Sequence, residues 1–239
     1  MIVCVSKKAL QLNSRFTLPP NSLGYCGKNS ASEKFKSCVV DGKCDEVEEE
    51  FKHFIALYPY LKTISKITCL PKFSYEVIES YWIGNDILLK AKKQDYDILL
   101  SFFEKQGVPE WLVEELKNKK PKKFIPTHLF QVLHVGVGKV SRSVPYNLES
   151  INNCVIRWGE VKKIDKLSAT VKLNSLKKVG GLFRITQITE TFPYIPSFVT
   201  DMKVGDNVTV HWKQITKMLT KEEAAKISYW TNEVLKAIN

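Results

Sequence analysis

The apolar residues of this chain change their period near residue 145, and that change limits the fold more than any other feature. Upstream they recur at three and four residues. Val47, Phe51, Phe54, Ile55, Tyr58, Leu61 and Ile64 mark one face of a helix over 44–67, since a turn of about 3.6 residues returns a side chain to the same face at that interval. Downstream they alternate. CVIRWGEVKKID, LSATVKLNSL, GLFRITQITE and NVTVHWKQI are rich in Val, Ile and Thr, and each reads as one strand. The expectation is an α+β fold. An α-helical domain over 1–145 precedes a small OB-like β-barrel with a C-terminal helix over 150–239. Residues 141–150 (SRSVPYNLES) serve as the hinge.

Punctuation refines the picture. Pro19-Pro20, Asn21 and two glycines around Tyr25-Cys26 assign 16–32 to a loop. Pro59 should kink or break the 44–67 helix. Ser74 can cap a helix that Gly84-Asn85 ends, and 94–106 and 109–118 read as two short amphipathic helices. Thr127 opens a further helix, weakened by Gly136 and Gly138. Thr220 and Glu223 form a capping box for the last helix. Trp82, Tyr81 and Trp111 lie on apolar faces and are expected in the core.

With 44% hydrophobic and 26% charged residues the chain has enough apolar surface to fold, which excludes a disordered polymer. No uncharged apolar run approaches the ~20 residues that span a bilayer. MIVCVSKKAL reaches Lys7 and Lys8 after only a few apolar residues, so a secretory signal is not expected, and the cytoplasm is. The net charge of +11 is spread over both halves, and only KNKKPKK (117–123) concentrates it. A solvated lysine surface accounts for it without nucleic acid. The six cysteines, at 4, 26, 38, 44, 69 and 154, form no CxxC pair. Reduced thiols are the expected state, most of them packing residues. P-loop, dinucleotide-binding, nucleophile-elbow and HExxH signatures are missing. HVGVGK (134–139) lacks the spacing of a glycine-rich phosphate loop.

The last ninety residues carry an ordered set of motifs. Cys154 is followed five residues later by Gly159, then Glu160-Val161-Lys162-Lys163, an alternating strand pair, Val204-Gly205-Asp206-x-Val208-x-Val210-His211, and Leu219-Thr220-Lys221-Glu222-Glu223. This order resembles the HypC/HupF family of nickel–iron hydrogenase maturation chaperones. The resemblance implies an OB-type barrel whose Cys thiolate carries an iron bearing cyanide and carbon monoxide. It also implies a hydrogenase large-subunit precursor or a maturation scaffold protein as partner. It makes Cys154 the metal ligand and places His211 beside it, in a protein that is not an enzyme by itself. The pattern departs from the family in two ways. Cys154 follows about 150 residues instead of starting the chain, and Ile156-Arg157-Trp158 stands where the family has Ala-x-Pro. LPPNSLGYCG (18–27), YPYL (58–61), Glu79-Ser80-Tyr81-Trp82 and Pro126-Thr127-His128 are similar to an uncharacterised family from hydrogenase gene neighbourhoods.

The residues support this chemistry independently. A thiolate is a strong, exchangeable ligand for iron, and an imidazole nearby can tune it. Cys26, between Tyr25 and Gly27 in a permissive backbone, could present a second thiol, and His128 at a helix start could face a pocket. His128 and His134 are six apart, so a regular helix points them about 120° from one another. The candidate cofactor-binding residues are therefore Cys154, His211, Cys26 and His128. Two other functions stay open. One is a single-stranded nucleic-acid-binding OB-type protein, using Trp158, Phe183 and Trp212 with Arg157 and Arg184. The other is a thiol enzyme built on Cys26 and His128.

Overall fold

The computed structural model describes residues 6–239, so Cys4 lies outside the described residues. The fold is α+β. Helices fill the first half, and a five-stranded antiparallel sheet and a long helix fill the second.

The first helix, α1 (Lys7–Ser22), runs through a segment expected to be loop. Pro19 and Pro20 lie in its last turn. A proline inside a helix costs about 3 kcal/mol through its missing N–H and its clash with the preceding turn. Burial of Phe16, Leu18, Pro19 and Pro20 offsets that cost, and the loop begins only at Leu23. The chain continues through α2 (Ser32–Val40), α3 (Val47–Lys52) and α4 (Leu57–Thr68). The expected 44–67 helix is thus two helices, and the break falls at 53–56, not at Pro59. Pro59 sits in the first turn of α4, where an N–H has no helical acceptor to lose. A disulfide joins Cys38 to Cys44, with Cα atoms 4.4 Å apart. This corrects the expectation that all thiols are reduced. The turn at Gly42, with φ of +69°, folds the chain back from the end of α2 and brings the two residues together.

Ser74 caps α5 (Tyr75–Trp82), its Oγ accepting from the Val77 N–H, and Gly84 ends it at φ +93°. Then come α6 (Tyr96–Gln106) and α7 (Glu110–Asn118). Trp111 on α7 is 48% exposed, so it belongs to the surface and not to the core. Thr127 caps the short α8 (His128–Phe130), which widens into a π-helical turn over Gln131–Gly136. Residues expected to serve as hinge and strand instead form α9 (Leu148–Cys154), because Asn147 supplies an N-cap to the Ser150 N–H.

The sheet comprises β1 (Arg157–Ile164), β2 (Ser168–Val179), β3 (Leu182–Pro193), β4 (Asn207–His211) and β5 (Gln214–Leu219), in the order β3-β2-β1-β4-β5. The segment expected as one strand, NVTVHWKQI, is a hairpin turning at Trp212-Lys213. Tyr194, just past β3, forms a parallel bridge to Ile215 on β5, so the sheet curls until its two edges meet. At Gly159 on β1 a Cβ would lie 2.0 Å from the Lys172 carbonyl oxygen, so only glycine lets β1 and β2 approach.

The capping box of Thr220 and Glu223 opens α10 (Lys221–Ile238), which packs back onto the helical half. Gly84 makes room for Trp230, where a Cβ would stand 2.3 Å from the ring. Lys226 pairs with the buried Glu79 at 3.0 Å. One continuous core therefore crosses the change of period, with Phe16, Trp82 and Phe130 joined to Val208, Ile215 and Trp230. No helix among the described residues is long and apolar enough to cross a membrane.

Candidate metal centre

Three element ends meet where the helical half faces the sheet. His128 is the first residue of α8, Cys154 the last of α9 and His211 the last of β4. Each terminus is fixed locally. The Thr127 hydroxyl caps α8 by accepting from the Phe130 N–H at 3.2 Å. The Trp212 N–H donates to the Asn153 carbonyl at 2.7 Å, which ties the end of β4 to the end of α9. The His128 ring packs on Trp82 at 4.6 Å, between ring centroids.

One ligand atom from each of His128, Cys154 and His211 lies within 4.8 Å of the other two, and all three residues are buried. His128 Nε2 stands 3.9 Å from Cys154 Sγ. A tetrahedral ion with metal–sulfur and metal–nitrogen lengths near 2.3 and 2.0–2.1 Å would set a sulfur and a nitrogen about 3.5 Å apart, so this pair stands a few tenths of an ångström from ligation, while the cluster as a whole, with separations of up to 4.8 Å, closes further around an ion.

The proline pair in α1 explains how His211 is aimed. Phe16 would ordinarily give its carbonyl to the N–H four residues on, at position 20, or three on, at position 19. Both positions are proline and neither has an N–H. The Phe16 carbonyl instead accepts from His211 Nδ1–H at 2.7 Å. That bond sets the tautomer and leaves Nε2 as the lone-pair nitrogen, buried near the Cys154 backbone without a hydrogen bond of its own. His128 Nδ1 and Trp212 Nε1 are likewise buried and unpartnered. Buried polar atoms are almost always paired. All three residues line the same cavity as the Cys154 thiol.

Burial sets the protonation. It pushes the His128 imidazole well below its ordinary value, with neighbouring His211 adding to the shift, and pushes His211 down to about 3. It holds the Cys154 thiol well above its ordinary value and Cys26 up at about 12. Both imidazoles are therefore neutral, the form that ligates. The thiols keep their protons until a cation supplies the compensating charge. The same shifts disfavour a thiol enzyme, which needs a thiolate.

The cluster opens on a cavity of about 310 Å3, whose wall includes all four residues singled out in the sequence: Cys26, His128, Cys154 and His211. Cys26 is half-buried on the loop after α1, where Asn21 Nδ2 donates to its carbonyl at 2.7 Å. It lines the cavity without belonging to the three-residue cluster. His134 points elsewhere, with its Nε2 3.0 Å from the Tyr96 hydroxyl. Trp158, Phe183 and Trp212, expected on a nucleic-acid surface, are buried, and so is Arg157. Two participants had no sequence signal. The Phe16 carbonyl is backbone, and Trp212 read as mid-strand.

The chain matches no curated protein and no solved structure. A family of unknown function, DUF6390, matches residues 6–239, and the chain belongs to that family.

Proposed function

We propose that this protein is a metal-handling accessory protein. It holds a first-row transition ion through the Cys154 thiolate and the imidazoles of His128 and His211. The observation that carries this is the buried cluster within 4.8 Å, in which His128 Nε2 stands 3.9 Å from Cys154 Sγ and His211 Nε2 has no partner. One thiolate with two imidazoles suits iron, zinc or copper better than calcium or magnesium, which prefer oxygen. The resemblance of the C-terminal half to hydrogenase maturation chaperones supplies the context. On that reading the ion is an iron fragment bearing cyanide and carbon monoxide. It is held transiently for a hydrogenase large-subunit precursor or a maturation scaffold. A thiolate site in a cavity that also contains Cys26 suits hand-over, because thiolates exchange one for another.

Two levels of test follow. Purified with its maturation partners, the wild-type chain should show infrared bands in the cyanide and carbonyl stretching region, and Cys154→Ala should lose them. Their absence in wild type, or their persistence in the variant, contradicts the iron-fragment version and leaves the metal site to be judged by direct metal titration.

A further inference from the structure

Trp212 and Lys213 form the two-residue turn of the β4–β5 hairpin with φ of 47° and 59°. Turns of that shape ordinarily use Asn-Gly or Gly-Gly, because a side chain strains a left-handed backbone. A bulky indole there is an outlier, and such strain collects at functional sites. A hairpin-tip side chain usually lies in solvent, but Trp212 is only 8% exposed. Its ring turns inward onto Tyr25, with centroids 4.6 Å apart, and lines the cavity beside the cluster. The indole N–H lies against the Cys154 sulfur and has no oxygen or nitrogen acceptor. The fold thus maintains a strained turn and buries, in the same place, a donor whose one neighbour able to accept is the thiol sulfur.

A tetrahedral ion held by three protein ligands keeps one position open. Here the cavity beside it, of about 310 Å3, has room for a ligand of several atoms. Charge selects the class of ligand. One thiolate and two neutral imidazoles on a divalent ion leave a net positive centre. Resting on the metal-binding function proposed above, we propose that the fourth position takes a small exogenous anion, and that Trp212 Nε1–H is the hydrogen-bond donor that holds it.

The test loads the full chain with one equivalent of cobalt(II) and titrates it with sodium azide, following the cobalt d–d absorption. The loaded wild type should respond and saturate. Trp212→Phe keeps a ring against Tyr25 but has no N–H. It should load cobalt as well as wild type and bind azide about tenfold or more weakly, the scale of a lost hydrogen bond to a charged group. In zinc-loaded wild type the Trp212 indole proton resonance should move as azide is added, a readout that needs no variant. An azide-silent wild type, equal azide affinity in Trp212→Phe, or an unmoved indole resonance would overturn the proposal. So would a variant that loses cobalt affinity instead, since that would assign the N–H to the Cys154 thiolate. A wild-type chain that takes up no cobalt defeats the metal site itself, and this proposal with it.

Discussion

His134 and the pair His128 and His211 occupy two differently finished parts of one interior. All three are buried, and burial lowers the pKa of each. Around His134 the ring stacks on Phe130 at 4.7 Å and Nε2 meets the Tyr96 hydroxyl at 3.0 Å, within a packed aromatic cluster. Around the other two, the rings lie with centroids 5.3 Å apart on a cavity wall, and each keeps a ring nitrogen without a partner. Burial and a perturbed pKa are therefore shared by both regions and separate nothing. The place of a ring nitrogen within reach of the Cys154 thiol separates them. The cysteines divide in a similar way. Cys38 and Cys44 satisfy each other in a disulfide, whereas Cys154 and Cys26 remain free on the cavity wall.

The strongest attempt to break this contrast exchanges the histidines. His211→Ala should lower cobalt affinity by roughly a hundredfold or more, since even the outer-shell partner of a ligand is worth about 10–100-fold. His134→Ala should leave that affinity unchanged. Equal losses would mean that the two regions do not differ in function.

Next comes the device in α1. Pro20→Ala restores an N–H that can reclaim the Phe16 carbonyl from His211. Metal affinity should fall by about tenfold, in the range for an outer-shell partner. Thermal stability should hold or rise, because a proline inside a helix is unfavourable. A fall in stability with affinity intact would show the proline pair to be packing alone.

The packed region makes its own prediction. The folded-state pKa of His134 is about 4, below its ordinary 6.5. The unfolded chain therefore takes the proton first. The stability linked to this group is complete above about pH 6.5 and is lost as pH falls from there towards 4, up to about 3 kcal/mol. Urea unfolding of the metal-free chain at pH 7 and pH 4.5 should show a smaller acid loss in His134→Gln than in wild type. The smallest effect is expected at Cys26. In Cys26→Ser the cobalt affinity should stay within about 0.5 kcal/mol of wild type, as for substitutions that remove no specific interaction.

The sequence named the chemistry of the site more readily than its assembly. Cys154, His211, Cys26 and His128 stood out as residue types in suggestive contexts, and the cavity brings all four to one wall. The period change revealed the α+β division because apolar spacing follows directly from helix and strand geometry. What joins the residues was not readable, for physical reasons. The end of α1 breaks the local rule against proline in helices, and only burial contributed by distant residues offsets it. The β4–β5 turn carries Trp-Lys where turn chemistry asks for Asn-Gly, so the hairpin read as one strand. The Cys38–Cys44 pairing depends on a turn at Gly42 that cysteine spacing does not announce. At Trp212 and at Pro19-Pro20 the failure of a local rule coincides with the site, as expected where function is maintained at the expense of local preference.

The most direct measurement is a cobalt(II) titration of the full chain, read by the thiolate-to-cobalt charge-transfer absorption. The account predicts one equivalent bound, with the sulfur band lost in Cys154→Ser and retained in Cys26→Ser. No binding by wild type, or a sulfur band that survives in Cys154→Ser, would contradict it.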